Sequence, residues 1–180
     1  MARATIAAIR SADAKRLIIT DGYDAGNTPI ADLFDTGILQ SGHDYSPMRL
    51  THYRCVWARP QSDKWPPPAW PLLDAQGKVI ANKHTIAEQY QAWKELAQHG
   101  IPIHFGEMGC NRLTPPNLVY TWTSDTLDMV NGLESGWAFW NFRGVAGVLD
   151  TGRPGTETSD WYGHNLDVKM LKLLQSKMKS

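Results

Sequence analysis

At 180 residues and 20.2 kDa the chain is long enough for one domain with a real core, but shorter than the roughly 250 residues of a complete eight-stranded βα barrel. Eighteen basic and eighteen acidic residues cancel to a net charge of zero, with a pI near 7.0. No global field therefore favours nucleic acid, an anionic membrane or a polyanionic substrate, and recognition must be local.

The N-terminal stretch Met1 to Arg10 lacks the apolar core and cleavage site of a signal peptide, and no run reaches transmembrane length, so a soluble chain without an export signal is expected. Residues 2 to 12 place Ile6 and Ile9 on one face of a short helix, and Leu17-Ile18-Ile19-Thr20 reads as a buried strand ending at the turn Asp21-Gly22. Thr28-Pro29 opens a weaker helical segment to Phe34. Residues 37 to 43 then read as a strand whose tip carries His43 and Tyr45. Residues 46 to 82 form a long connection, of the kind that is usually functional or disordered. Trp57, Trp65 and Trp70 stand in it among Pro60, Pro66, Pro67, Pro68 and Pro71. Cys55 and Cys110 make no C-x-x-C pair and no zinc-ligand spacing with the six histidines, so both read as buried or incidental, and neither metal nor cofactor is expected.

Thr85 with Glu88 has the spacing of a capping box, and Ile86, Tyr90, Trp93, Leu96 and Ala97 make a helical stripe that Gly100 and Pro102 end. Ile101 to Gly106 is the next strand, apolar apart from His104, with Glu107 directly after it. Thr114-Pro115 caps a helix with Leu118, Trp122, Met129 and Leu133 on its buried face. Residues 136 to 142 read as a fourth strand, and an amphipathic helix from Leu166 to Leu174 closes the chain. Helices alternating with parallel-type strands imply an α/β fold.

Retaining glycoside hydrolysis needs one carboxylate beside the anomeric carbon and a second carboxyl about 5 Å away. In βα barrels such groups sit at the C-terminal ends of strands, and Glu107 is the glutamate of this chain at such a position. Glu88 and Glu95 lie on a helix, Glu134 at a helix end and Glu157 in a loop. By position alone, a turn residue or salt-bridge partner is an equal reading of Glu107.

The neighbouring strand tips carry more. Ala8 to Gly22, His43-Asp44-Tyr45-Ser46-Pro47 with Thr51-His52-Tyr53, Phe105-Gly106-Glu107-Met108-Gly109 and Gly136-Trp137-Ala138-Phe139-Trp140-Asn141-Phe142 together resemble glycoside hydrolase family 5, the cellulases, mannanases and related β-glycanases. The likeness spans nearly the whole chain. It implies that residues 1–180 are a single C-terminal half of a (β/α)8 TIM barrel, strands five to eight: a (β/α)4-like half barrel with parallel strands and flanking helices. On it Glu107 is the nucleophile, Tyr45 orients it, His43 contacts the sugar or the carboxylate, Trp140 is the aromatic platform under the cleaved sugar, and Asn141 joins the substrate-binding set. Without the resemblance, Tyr45 and His43 are satisfied polar core residues and Trp140 is ordinary packing. Trp57, Trp65 and Trp70 either line outer sugar subsites or pack on their prolines.

One part of the family pattern is missing. Its acid/base glutamate lies in an Asn-Glu-Pro segment after strand four, and no such tripeptide occurs here. Asp21, Asp44 or a residue of a partner chain are the candidates to replace it. Open strand edges and exposed inward side chains point to a homodimer or higher homo-oligomer, in which two copies complete the barrel about a two-fold axis. The expected function is that of a glycoside hydrolase fragment of cellulase, endoglucanase or β-glucosidase type on β-linked glucan or glucoside, its activity weak or dependent on assembly. The alternative is a catalytically silent carbohydrate-binding or structural half barrel.

Overall fold

A computed structural model describes residues 1–178 of the chain. Four parallel strands, β1 (Ile19–Asp21), β2 (Leu39–Asp44), β3 (Ile103–Met108) and β4 (Gly136–Trp137), form one sheet in sequential order. Five longer helices flank it: α1 (Ala2–Ala12), α2 (Lys83–Gln89), α3 (Gln91–Gln98), α4 (Pro116–Gly132) and α5 (Val168–Lys177). Two hairpins, at residues 72–81 and 159–166, lie outside the sheet. No helix among the described residues is long and apolar enough to cross a membrane.

Alternation along the strands sorts the side chains into two layers. Ile103, Phe105 and Met108 of β3 join Trp93, Leu96, Val119, Trp122 and Leu127 of the helices in the main core. Phe105 packs edge-on against Trp93, with centroids 5.5 Å apart. Each such side chain contributes about 1.5–3 kcal/mol by leaving water. Both large indoles also place their N–H groups: Trp93 donates to the Asn27 carbonyl at 3.1 Å and Trp122 to that of Ser46 at 2.7 Å. Ile6 of α1 closes a smaller cluster with Ile30, Leu33 and Ile38 at the β1 side.

Several elements differ from the sequence expectation. The helix from Thr85 begins two residues earlier and is capped by Asn82, whose side chain accepts from His84 and Thr85 N–H while the Thr85 hydroxyl accepts from Asn82 N–H. The capping box is thus Asn82 with Thr85, not Thr85 with Glu88. The segment after Pro29 makes only a single 3-10 turn, Ala31–Leu33. Strand β3 runs on to Met108, so Glu107 is inside it. The fourth strand is regular only at Gly136–Trp137, although Ala138 and Trp140 N–H still donate to the Phe105 and Met108 carbonyls. Trp70 belongs to the helix layer, where its indole N–H donates to Asp125 at 2.9 Å. Cys55 and Cys110 are both buried and free.

The helix-facing side of β2 carries two buried polar residues. Gln40, 0% exposed, imitates a strand neighbour: its Oε1 accepts from Ile30 N–H at 2.7 Å and its Nε2 donates to the Ile30 carbonyl at 2.9 Å. Replacing it with leucine leaves the Ile30 N–H unpaired, while the Ile30 carbonyl keeps the Leu33 N–H at 3.1 Å. At about 1–3 kcal/mol for one orphaned group, urea denaturation of Gln40→Leu should show a loss of about 1–3 kcal/mol; an unchanged stability would mean that another partner reaches the Ile30 N–H. Asp44 accepts from the Tyr90 hydroxyl at 2.6 Å and from Ser46 N–H at 2.8 Å. Burial pushes its carboxyl up to about 6 in spite of both bonds. A carboxyl whose proton affinity is higher folded than unfolded stabilises most below its unfolded pKa of 3.8. That contribution fades as pH rises through about 6. Since a tenfold change in proton affinity is worth about 1.4 kcal/mol, it spans at most about 3 kcal/mol. Asp44→Asn keeps a donor and an acceptor in place, and its stability should be flatter than the parent's between pH 4 and pH 6. An unchanged slope in denaturation midpoints across that range would refute the assignment.

Candidate active site

The open face of the sheet, opposite the helices, gathers Asp21, Ser41, His43, His104 and Glu107 by strand register. Glu107 reaches this face through an irregularity. Gly42 pairs with Phe105 but the next residue, His43, pairs with Glu107, which leaves Gly106 as an extra residue in β3. Phe105 points into the helix layer, so strict alternation would send Glu107 there too. The bulge turns it to the other face. Glycine suits the position, because a Cβ at Gly106 would lie 2.7 Å from Ser41 Oγ.

His43 and Tyr45 are two residues apart in and just beyond β2, and so project on one side. The Tyr45 hydroxyl donates to Glu107 Oε2 at 2.8 Å. Its own proton is firmly held: burial first, then the bond to Glu107, raise the phenol far above its usual range. The His43 ring lies between two carboxylates, with Nδ1 3.7 Å from Glu107 Oε2 and Nε2 3.2 Å from Asp21 Oδ1. The turn after β1 covers this ring so closely that a Cβ at Gly26 would sit 2.7 Å from it. Asp21 therefore stands on the far side of the imidazole from Glu107. Asp44 faces the opposite layer and is only 4% exposed, which removes it as a replacement acid at the mouth.

Around Tyr45 the loops are tied down. The Thr51 hydroxyl donates to the Tyr45 carbonyl at 2.6 Å, and Trp122 holds Ser46 from below. His52 packs edge-on against the Tyr45 ring at 5.2 Å, and burial lowers its imidazole pKa, which favours the neutral ring. The loop after β3 is anchored by Arg153, a buried guanidinium that donates to the carbonyls of Cys110, Asn111 and Thr114 at 3.0–3.2 Å. It lies 39 to 43 residues downstream of these carbonyls in the chain, and no local pattern marks it.

Trp140 is 46% exposed and follows directly from the bond of its N–H to the Met108 carbonyl, one residue past Glu107. Its peptide bond to Asn141 is cis. The chain passes here because Gly109 has no side chain: a Cβ would stand 2.2 Å from the Trp140 carbonyl oxygen. A cleft of about 50 Å³ is lined by Tyr45, His52, Trp57 and Trp140 among others. Trp57, 74% exposed, is thus brought to the mouth, unlike Trp70. Asn141 does not line this cleft; its side chain lies beside Gly144 and Gly147 within its own loop. Among the described residues no group of three or more His, Cys, Asp or Glu side chains could hold a metal ion.

The arrangement suits a carboxylate that attacks an electrophilic carbon: Glu107 is oriented by a hydroxyl and its side chain is 32% exposed to solvent. A family model described as cellulase, glycosyl hydrolase family 5, matches residues 1–144. A crystal structure of a glycoside hydrolase is 37% identical with a TM-score of 0.87, over 98% of this chain and 52% of that one. A mutant of Cel5A from Thermotoga maritima, solved with cellobiose, is 27% identical with a TM-score of 0.70, over 94% of this chain and 50% of the other. Cel5A with mannotriose, at 23% identity, TM-score 0.71 and coverages of 94% and 51%, shares the fold. No curated protein sequence matches. The chain spans about half the length of these structures, and its parallel sheet with flanking helices corresponds to about half of a TIM barrel. By the extent of the family match, the chain belongs to glycosyl hydrolase family 5.

Proposed function

We propose that residues 1–180 form one domain, the C-terminal half of the family barrel with strands five to eight, and that Glu107 is a glycosidase nucleophile acting on β-linked glucan or glucoside. The observation that carries this is the 2.8 Å bond from Tyr45 to Glu107 at the C-terminal end of β3 on the open face. Tyr45 fixes one carboxylate oxygen, which leaves the other to attack the anomeric carbon. His43 holds the edge of the site, and Trp140 offers its indole face to the apolar C–H face of the sugar. Attack forms a glycosyl ester on Glu107 and breaks the bond to the leaving oxygen; water then hydrolyses the ester.

Protonation of the leaving oxygen is the weak step. Asp21 is screened from Glu107 by the His43 ring and Asp44 is turned into the helix layer, so neither of these carboxyls is in contact with the nucleophile. General acid help is worth about 100-fold to 10,000-fold and matters least for acidic leaving groups. Aryl glycosides are therefore the substrates to use. A dinitrophenyl β-cellobioside with fluorine in place of the hydroxyl beside the anomeric carbon should leave a stable glycosyl adduct on the peptide containing Glu107, detected by mass spectrometry. Glu107→Gln should abolish it. An adduct on another residue, or none, would overturn the nucleophile assignment.

The absent acid also favours a second reading, a silent sugar-binding half barrel, for which calorimetry with cello-oligosaccharides would show binding without turnover. In either case the open face of the sheet, with Ile19 exposed on it, is completed by a second copy of the chain. Sedimentation should show a dimer or larger species, and a monomer at micromolar concentration would refute the assembly.

A further inference from the structure

Beyond the platform at Trp140 lies an exposed aromatic cluster that the proposed chemistry does not use. Phe142, Trp161 and Tyr162 are 66%, 43% and 87% exposed. Phe142 and Trp161 meet edge to face with centroids 6.5 Å apart, and Trp161 and Tyr162 meet in the same way at 5.1 Å. We infer that this strip is an outer sugar-binding subsite, which holds a β-glucan chain running outward from Trp140. The ligand class rests on the function proposed above, while the strip itself rests on its own geometry.

Three observations carry the inference. The strip is continuous with the candidate site: Glu107 is followed by Met108, whose carbonyl fixes Trp140, and Phe142 is two residues further along. The Phe142 carbonyl in turn accepts from Val148 and Leu149 N–H, and Leu149 bridges to Leu166 of the hairpin that carries Trp161 and Tyr162.

The strip is also pre-ordered. Asp150 receives Arg143 Nε at 2.7 Å and His164 Nδ1 at 2.8 Å on one oxygen, and Asn165 N–H at 2.9 Å on the other. One carboxylate thus joins the neighbour of Phe142 to the hairpin of Trp161, so a ligand would not have to order the rings itself.

The hairpin tip presents its ring outward at some conformational cost. Tyr162 has φ +52° and Gly163 φ +82°, a left-handed pair in which Asn or Gly is the usual first residue. Tyrosine there gains nothing from the core, being almost fully exposed. Polar groups flank the rings in the chain: Arg143, next to Phe142, is held by Asp150, and Asp160, next to Trp161, accepts from Gly163 N–H at 3.2 Å. A sugar chain, with its apolar ring faces and hydroxyl edges, needs that mixture; a protein partner would favour an unbroken apolar patch.

The test is calorimetry of the intact chain with cellobiose and cellohexaose, together with sedimentation and the fluoroglycoside adduct assay. Tyr162→Ala and Trp161→Ala should each weaken cellohexaose by about two- to tenfold, the range of one aromatic contact. Cellobiose affinity and the adduct on Glu107 should be unchanged, and Tyr162→Phe should bind as the parent does. Parental cellohexaose affinity in both alanine variants, or no binding by the parent, would overturn the subsite. So would variants that change only the sedimentation behaviour, because the cluster would then be a protein contact. Cellohexaose binding that depends on the strip while no adduct forms on Glu107 would sink the nucleophile and leave the subsite standing.

Discussion

The direction in which Glu107 points depends on the extra residue Gly106, and most of the candidate site depends on that direction. Period-two geometry would have placed the carboxylate among Phe105, Trp93 and Tyr90, where an isolated charge is costly. The bulge moves it across the sheet within a single residue, against His43 and within reach of Tyr45. A Cβ on Gly106 would meet Ser41 Oγ at 2.7 Å, so the serine hydroxyl would have to turn away. A small side chain in one strand and a short backbone irregularity in the next thus decide between a buried defect and a usable carboxylate.

The supports around that carboxylate work at three depths. Tyr45 touches it, Thr51 and Trp122 hold the loop on which Tyr45 stands, and Arg153 fastens the loop that leaves β3. None of these relies on a surface ion pair, whose worth would be small. Buried hydrogen bonds and indoles with satisfied N–H groups do the positioning, which makes for a rigid frame around a half-open centre. The same economy is seen in Gln40, which closes a gap beside β2 with one amide.

Much of this could be read from the amino-acid order. The strand positions, the helical stripes of Ile86 to Leu96 and the spacing of His43 and Tyr45 follow from periods of 3.6 and 2. What could not be read depends on contacts distant in the chain. The bulge at Gly106 appears only when β2 is laid beside β3. Arg153 serves carbonyls some forty residues upstream. Asn82 outcompetes Thr85 as the helix cap because a strand delivers it there. The side chain of Asn141, adjacent to Trp140 in sequence, lies beside Gly144 and Gly147, which the chain brings back to it. The long connection with its tryptophans was likewise ambiguous by composition: one of them, Trp70, secures a helix, while Trp57 reaches the mouth.

Each strand of the sheet is hydrogen-bonded to the next strand of that sheet in chain order. Such an order lets each βα unit dock on the edge left by its predecessor, the longest closure being the connection from Asp44 to Ile103. It also means that the strand carrying Glu107 takes its backbone partners from β2 and β4 alone, one strand removed from the outer edge of β1.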